Sequence, residues 1–385
     1  MKYKSIIHLN PCDVLSLSII IWSAFAIWLA LHQQLELAIA ATFMGMLTDA
    51  LDGMLARKSG TIRPFGRYLD GFMDMLLYLI TPIVIWSQFQ LTSFMIVPWM
   101  IFLAAGVIRL SVFNEIGNTE DNNKLSYLGM PVFWSIFILS SSFLFSLFVA
   151  KETLALMLAL VLFVFSAAML WSSDFYKPQN IYTILLVVIY NQLILLWLYF
   201  LRIKSFDIVF IFEQISIIYV PSIMSGIAHM WIVKKIPQGK LTVPIHLKWF
   251  GRNKTWRGLL FVPCVSTLIG CAMEFFIETS LPHLGLVGLV SGLGYMLFEL
   301  PNSFMKRRCG IPEGENVAAG QHSMKRSVFF ILMDQLDSSF GGSFLLFIVF
   351  KLPLEVCLTL FLMSPAVLLS VKRILFIVRL KAKPH

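Results

Sequence analysis

The stretch DALDGMLARKSGTIRPFGRYLDGFMD, residues 49–74, places four aspartates between two apolar segments. Asp49 and Asp52 are three residues apart, and Asp70 and Asp74 are four apart. On helices each pair therefore shares a face, with roughly 5–6 Å between Cβ atoms. An ionised carboxylate that faces lipid costs about 2.5–3.5 kcal/mol, so all four are expected to face the protein interior. Their mutual repulsion then calls for a compensating cation.

The segments around this stretch have the composition of a membrane protein. Of 385 residues, 58% are hydrophobic and 13% are charged, whereas a soluble domain carries about 25% charged residues. A spanning helix needs about 20 apolar residues, and this criterion predicts twelve spans. They cover approximately residues 14–32, 35–56, 67–87, 91–113, 130–149, 153–171, 181–201, 208–232, 257–277, 283–300, 327–350 and 353–371.

The predicted fold class is therefore an all-α polytopic membrane protein. The polar stretch Ser172–Asn180 marks a seam, which gives a first domain at residues 1–178, a linker helix at 179–204 and a second domain at 205–385. In this division a six-helix bundle and a five-helix bundle flank the linking helix.

The distribution of basic residues predicts the orientation. If both termini are cytoplasmic, the basic residues that fall outside are only Lys151, Arg202, Lys204 and Lys351. This positive-inside asymmetry indicates a multi-pass protein of the cytoplasmic (inner) membrane. The net charge of +9 is dispersed along membrane edges, which argues against nucleic-acid binding and favours attraction to anionic lipid or phosphorylated substrates.

The residues beside the four aspartates suit a phosphate-containing ligand. Mg²⁺ prefers a few carboxylates together with substrate phosphates. Gly53 and Gly66 remove side chains beside the carboxylates, and Arg57 offers a fork for phosphate oxygens. The alternative is a set of interfacial charges that reach water, which fits any single aspartate but not four at this spacing.

The same run matches the signature D-x-x-D-G-x-x-A-R, eight residues, G-x-x-x-D-x-x-x-D in every fixed position. Residues 1–178 thereby resemble the CDP-alcohol phosphatidyltransferase family, which transfers a phosphatidyl group from CDP-diacylglycerol to a small alcohol and releases CMP. The resemblance implies that Mg²⁺ or Mn²⁺ is held by Asp49, Asp52, Asp70 and Asp74, of which Asp74 is also the general base. It implies that the CDP moiety is framed by Gly53, Ala56, Arg57 and Gly66. It also implies a homodimer.

A later segment bears on the acceptor alcohol. The run RLSVFN at Arg109–Asn114, followed by YLGMP at Tyr127–Pro131, is similar to the R-L-A-R-F-N and G-L-P runs of the phosphatidylserine synthase branch. The resemblance implies serine as acceptor and a role for Arg109 in binding acceptor or phosphate. Val112 replaces the second arginine and Met130 replaces leucine, so the alcohol stays open. Alternatively, Arg109 is a positive-inside anchor.

The second half collects cations and acids in three segments. They are FGRNKTWRG at 250–258, ELPNSFMKRRCGIPEG at 299–314 and DQLDSSFGG at 334–342. Asp334 and Asp337 lie inside the predicted eleventh span, and an intramembrane acidic pair is a functional hypothesis by default. Basic, glycine-containing loops suit a polyphosphate. A purely topological role for the basic residues explains neither the aspartates nor Ser303.

The elements K-T-W-R-G, S-F-x-K-R-R and D-Q-L-D-S within residues 205–385 resemble the CDP-archaeol synthase and CDP-diglyceride synthetase group. Such cytidylyltransferases join CTP to phosphatidate and release pyrophosphate. The resemblance implies that Asp334 and Asp337 bind metal. It implies that phosphates are bound by Lys254, Arg257, Ser303, Lys306 and Arg307. Phe298 and Glu299 stand where the family has a G-D pair.

Together the two resemblances predict a bifunctional enzyme of phospholipid biosynthesis that makes and then consumes a CDP-activated lipid. One alternative keeps the transferase and makes the second half a non-catalytic lipid-binding or dimerising module. A remote alternative is a secondary transporter, in which acids would lie near the bilayer midplane between structural repeats. The sequence leaves open whether the lipid tails are ester- or ether-linked.

Overall fold

The chain folds into two compact helical units, Met1–Ser205 and Phe206–His385. The second unit begins one residue after the predicted start of the second domain. The computed structural model describes residues 9–60, 63–116, 119–121, 124–176, 180–236, 242–312 and 324–377.

The first unit contains eight α-helices and a small sheet within its described residues. The α-helices are α1 (Pro11–Leu31), α2 (Leu35–Ser59), α3 (Pro64–Asp74), α4 (Thr81–Ser87), α5 (Ile96–Ile116), α6 (Trp134–Ser146), α7 (Lys151–Leu170) and α8 (Ile181–Ile203). The strands are β1 (Thr119–Asp121), β2 (Lys124–Leu128) and β3 (Asp174–Tyr176), paired antiparallel in the order β1-β2-β3. The sequence patterns do not predict this sheet.

Local signals set the helix ends around the four aspartates. Asn10 and Asp13 form a capping box at the start of α1, which satisfies backbone N–H groups of the first turn. Gly60 ends α2 in the left-handed conformation, with φ +65°, and Pro64 occupies the first turn of α3. The end of α2 and the start of α3 are therefore close in the chain, and both carry aspartates.

The third predicted span is interrupted by an irregular turn. A π-helical segment, Met75–Ile80, joins α3 to α4, and a 3₁₀ turn, Ser93–Met95, leads into α5. At the end of the π-helical segment the Thr81 hydroxyl donates to the Leu76 carbonyl at 2.8 Å. Such π-bulges are frequent at functional sites, and this one directly follows Asp74.

Helix α8 packs against α2 within the first unit. The Gln192 side chain donates to the Ala40 carbonyl at 2.6 Å. Arg202 and the buried Glu36 form an ion pair at 2.9 Å. The helix at the predicted linker position thus contributes contacts to the bundle that contains the aspartates.

The second unit contains six α-helices within its described residues: α9 (Ile208–Lys235), α10 (Leu247–Phe250), α11 (Trp256–Met273), α12 (Leu284–Arg308), α13 (Met324–Phe350) and α14 (Leu354–Ile377). Glycines let α12 approach its neighbours closely. A Cβ at Gly288 would lie 2.3 Å from the Ser266 carbonyl oxygen of α11, and one at Gly294 would lie 2.4 Å from the Gly341 oxygen of α13. Small residues at crossings are typical of membrane helix packing.

The described residues form ten segments that are long and apolar enough to span a membrane, against twelve predicted spans. The fifth predicted span corresponds to the shorter apolar helix α6. The eleventh corresponds to α13, which carries Asp334 and Asp337. The all-α polytopic membrane class is confirmed.

Candidate active site

Three of the four motif aspartates converge in the first unit. Asp49 lies on α2, and Asp70 and Asp74 lie on α3. Each offers a carboxylate oxygen, and these three oxygens lie within 4.8 Å of one another. Within the described part of the chain this is the only group of at least three acidic, histidine or cysteine ligands so arranged. We refer to Asp49, Asp70 and Asp74 as the acidic triad.

The acidic triad suits a hard divalent ion. All of its donors are carboxylate oxygens, which Mg²⁺ and related ions prefer. Asp74 Oδ1 is buried and has no hydrogen-bond partner among the described residues, so an ion would satisfy an otherwise costly polar atom. The Tyr78 hydroxyl donates to Asp49 Oδ2 at 2.6 Å and fixes that carboxylate. The residues present therefore fit a divalent metal.

Asp52 lies beside the acidic triad but in a different environment. It is buried, and its Oδ2 accepts a hydrogen bond from the Ser16 hydroxyl of α1. Its charge interacts with Asp49 and Asp70. The structure thus separates the four predicted metal ligands into three convergent carboxylates and one held by a neighbouring helix.

Helix α1 contributes residues that the sequence analysis missed. In addition to Ser16, the buried Asp13 forms an ion pair with Arg63, in the connection between α2 and α3. A Cβ at Gly66 would lie 3.7 Å from Asp13 Oδ1, so the motif glycine leaves little more than van der Waals space beside this pair. The available signal was Asp13 followed three residues later by Ser16 on one face of a largely apolar helix.

The remaining motif residues line the same helix ends. A Cβ at Gly53 would lie 3.4 Å from a terminal nitrogen of Arg57, so the Arg57 guanidinium lies close over the glycine. Arg57 is exposed and Ala56 is half-buried. The Arg57 guanidinium is therefore accessible to a ligand, and its part in binding the CDP moiety stays a prediction.

Arg109 lies on α5 close to the acidic triad. It is 5% exposed, its guanidinium lies 5.2 Å from the Phe113 ring centroid, and its charge attracts Asp74. Burial distinguishes Arg109 from an exposed interfacial cation, because burial of a charge is costly unless it is compensated. Val112, which replaces the second arginine of the run, is 38% exposed.

Asn114, at the end of the same run, packs against Gly71 of α3. A Cβ at position 71 would lie 2.7 Å from the Asn114 amide nitrogen. Arg67 of α3 donates to the Asn114 backbone carbonyl at 3.2 Å. The run that was predicted to influence the acceptor is therefore attached directly to the helix that carries Asp70 and Asp74.

The second unit gathers a separate ionic cluster. Asn302 of α12 donates to Asp334 Oδ1 and to Asp337 Oδ2 of α13, both at 2.7 Å. Lys306 forms an ion pair with Asp334. Lys254 forms an ion pair with Glu299, so the position at which the sequence departs from the expected G-D pair still supplies a carboxylate.

A cavity of about 230 Å³ adjoins this cluster, and its lining includes His229, Lys254, Thr255, Tyr295 and Glu299. The other predicted phosphate-binding residues are placed less centrally. Arg257 donates to the Ile236 carbonyl at 2.6 Å, while Ser303 and Arg307 are half-buried on α12.

The acidic triad with Arg57 and Arg109 beside it defines a site of the kind found in metal-dependent enzymes that transfer phosphate-containing groups. The model of the CDP-alcohol phosphatidyltransferase family matches residues 9–189, a range that contains all of these residues. The chain belongs to the CDP-alcohol phosphatidyltransferase family. Its members use a divalent metal, in agreement with the acidic triad.

Individual relatives each match between about a quarter and a third of the chain or slightly more. A CDP-diacylglycerol–serine O-phosphatidyltransferase of Bacillus subtilis (strain 168) is 30% identical over 128 residues, which cover 32% of this chain and 68% of the relative. An enzyme of the same name from Methanocaldococcus jannaschii is 28% identical over 91 residues, 23% of this chain and 42% of the relative. An archaetidylserine synthase of Methanothermobacter thermautotrophicus is 26% identical over 148 residues, 37% of this chain and 61% of the relative.

Proposed function

We propose that the first unit transfers the phosphatidyl group of a CDP-activated diacyl lipid to the hydroxyl of serine. The observation that carries this proposal is the convergence of Asp49, Asp70 and Asp74 at the motif of a family that performs such transfers. Serine is favoured because the relatives from Bacillus and Methanocaldococcus are named for transfer to serine.

In this proposal Asp74 accepts the proton of the serine hydroxyl. The serine oxygen attacks the lipid-linked phosphorus and forms a new P–O bond, while the P–O bond to CMP breaks and CMP leaves with the electron pair. A divalent ion held by the acidic triad and Asp52 would neutralise phosphate charge when bound. Arg57 and Arg109 stabilise charge on the phosphates and the acceptor. The motif residues that frame the cytidine diphosphate are Gly53, Ala56, Arg57 and Gly66.

The test is a competition between acceptors. The purified full-length chain receives CDP-diacylglycerol with equal concentrations of serine, glycerol 3-phosphate and inositol, and mass spectrometry identifies the lipid product. We expect phosphatidylserine together with CMP. A product with another alcohol would contradict the acceptor assignment. Replacement of the donor by CDP-archaeol decides between ester- and ether-linked tails.

We propose for the second unit the formation of CDP-diacylglycerol from CTP and phosphatidate. The observation that favours this second function is the arrangement of Glu299, Asp334 and Asp337 with lysines beside the cavity at Lys254. A phosphatidate oxygen would attack the α-phosphorus of CTP, and the bond to the β-phosphate would break to release pyrophosphate. The first unit would then consume the product.

This second function is tested without an alcohol acceptor. The full-length chain receives CTP, phosphatidate and Mg²⁺, and we expect CDP-diacylglycerol and pyrophosphate to accumulate. Asp337→Asn should abolish this accumulation and leave transfer from added CDP-diacylglycerol to serine intact. Failure of the wild type to form CDP-lipid would favour a non-catalytic lipid-binding or dimerising module.

We further propose that both termini face the cytoplasm in the inner membrane and that the chain forms a homodimer. The positive-inside distribution supports the orientation, and alkaline phosphatase fusions at the two termini should be inactive. The homodimer rests on the family resemblance alone. Crosslinking in native membranes should give one band of twice the monomer mass.

A further inference from the structure

The ionic cluster of the second unit pairs its acids with amines. Lys254 contacts Glu299, and Lys306 donates to both carboxylate oxygens of Asp334. Lys372 of α14 is attracted by Asp334, Glu299 and Asp337, and its amine donates to the Gln335 side chain at 3.2 Å. Three carboxylates are therefore accompanied by three lysines, and the charges of these six groups balance.

This charge balance disfavours a divalent ion that arrives alone. Lys306 occupies both oxygens of Asp334, so an ion would have to displace an ammonium from a partly buried carboxylate, and a broken pair of this kind leaves an uncompensated charge. Among the described residues, the acids of the second unit form no group of three with ligand atoms as close as those of the acidic triad. In the second unit a cation would therefore have to displace a lysine from a carboxylate before it could bind, whereas the acidic triad offers its carboxylate oxygens close together.

The cluster and the basic segments of the second unit nevertheless contain buried polar atoms of both kinds without partners among the described residues. Asn302 is 4% exposed, and its Oδ1 has no hydrogen-bond partner among the described residues, although its Nδ2 contacts two aspartates. The Nε atoms of Arg257 and Arg307 are buried donors without an acceptor among those residues. One unsatisfied acceptor suits a cation and two unsatisfied donors suit an anion, so these residues suit a ligand that brings both charges.

We propose that the second unit binds a divalent ion only together with a polyphosphate, through an exchange of ionic partners. Lys254 and Lys306 move from Glu299 and Asp334 to phosphate oxygens, and the released carboxylates and Asn302 Oδ1 bind the ion. The local charge stays balanced. The ion takes the place of the lysines as the partner of the carboxylates, and the phosphates take the place of the carboxylates as the partners of the lysines. The identity of the polyphosphate as CTP rests on the proposed second function, whereas the exchange rests on the contacts of this cluster.

The proposal makes ion and polyphosphate binding mutually dependent, which is a coupling free energy between two ligands. The test uses the full-length chain with Asp49→Asn and Asp70→Asn, which disables the acidic triad. Binding of Mn²⁺ is followed by electron paramagnetic resonance with Mn²⁺ alone, with Mn²⁺ and pyrophosphate, and with Mn²⁺ and CTP. We expect protein-bound Mn²⁺ only when pyrophosphate or CTP is present. Equal Mn²⁺ binding with and without polyphosphate would overturn the exchange.

A single substitution provides a stricter test, because loss of a lysine is expected to raise the affinity for Mn²⁺ alone. Lys306→Met frees Asp334 and should increase the affinity for Mn²⁺ alone by about tenfold, the value of a charge-assisted hydrogen bond, while it weakens CTP binding. Lys306→Arg should keep the wild-type dependence. Lys351→Met, at an exposed position between α13 and α14, is the matched control. An unchanged or reduced affinity of Lys306→Met for Mn²⁺ alone would refute the proposal.

These measurements separate the exchange from the proposed second function. Coupled binding of Mn²⁺ and pyrophosphate without formation of CDP-lipid would support the exchange and contradict the cytidylyltransferase activity. CDP-lipid formation with Mn²⁺ binding that does not depend on CTP or pyrophosphate would support the cytidylyltransferase activity and contradict the exchange.

Discussion

Ser16 provides a direct test of how α1 supports the acidic site. Its hydroxyl donates to Asp52 Oδ2, and both side chains are buried, with 7% and 4% exposure. Ser16→Ala removes the donor and leaves a buried carboxylate less satisfied. A hydrogen bond to a charged group contributes about 1.5–3 kcal/mol, so kcat/KM for phosphatidyl transfer should fall about 10- to 150-fold if Asp52 must keep its orientation.

The assay is CMP release from CDP-diacylglycerol and serine over a series of Mg²⁺ concentrations. Because we propose that Asp52 helps to hold the ion, Ser16→Ala should also raise the Mg²⁺ concentration needed for half-maximal rate. Ser16→Thr keeps a hydroxyl and should restore most of the activity. Ser18→Ala is the matched control, since the Ser18 hydroxyl donates to the Leu15 carbonyl of its own helix at 2.6 Å. Wild-type Mg²⁺ dependence in Ser16→Ala, or no rescue by threonine, would refute this reasoning.

Three further predictions, one of them with a control substitution, test the site and the packing. Asp74→Asn should lower CMP release by about 10²-fold or more, while CDP-lipid still forms from CTP and phosphatidate. Loss of both phosphatidylserine and CDP-lipid, measured by mass spectrometry, would contradict two separate sites. Gly288→Ala places a Cβ 2.3 Å from a backbone oxygen and should lower the free energy of unfolding by about 1–3 kcal/mol. Gly226→Ala, whose Cβ meets no atom within 4 Å, should leave Tm unchanged or raise it slightly, because alanine is the better helix former. Equal Tm values for the two variants would count against the close crossing. Arg202→Met removes the partner of the buried Glu36 and should destabilise the first unit by about 1–3 kcal/mol. The loss is smaller than for a fully buried pair because the Arg202 side chain is 43% exposed. An unchanged thermal unfolding curve would contradict the proposal that this ion pair anchors α8 to α2.

The aspartate spacing was sufficient to predict the acidic triad because its geometry is mostly local. Asp70 and Asp74 share one helix face, and a short connection returns the chain from Asp49 on α2 to α3. The position of Asp52 could not be predicted in the same way. Its partner Ser16 is 36 residues away, and spacing within the motif contains no information about which side chain of α1 it meets.

Helix α8 shows a second limit of sequence patterns. Its apolar character predicts a spanning helix but not the helix that it packs against, so the sequence pattern predicts only a linker. The contacts of α8 with α2 involve its exceptions to apolarity, Gln192 and Arg202, which meet Ala40 and Glu36. A polar residue in an apolar helix indicates that a partner exists, although a single sequence does not identify the partner.

The irregular backbone elements had no sequence signal that we could use. The π-helical segment Met75–Ile80 lies inside an evenly apolar run, so hydrophobic periodicity predicts an uninterrupted helix there. The strands β1 and β3 have only three residues each, which is too short for an alternating pattern to be recognised. In strands, packing against neighbouring residues outweighs local propensity.

The central claim is that the acidic triad holds a divalent ion that phosphatidyl transfer requires. The most direct measurement is the rate of CMP release from CDP-diacylglycerol and serine by protein stripped with a strong chelator and then titrated with Mg²⁺. We expect no turnover in chelator, full recovery of the wild type with Mg²⁺, and recovery of Asp49→Asn only at much higher Mg²⁺. Full turnover of the wild type in excess chelator would contradict the claim.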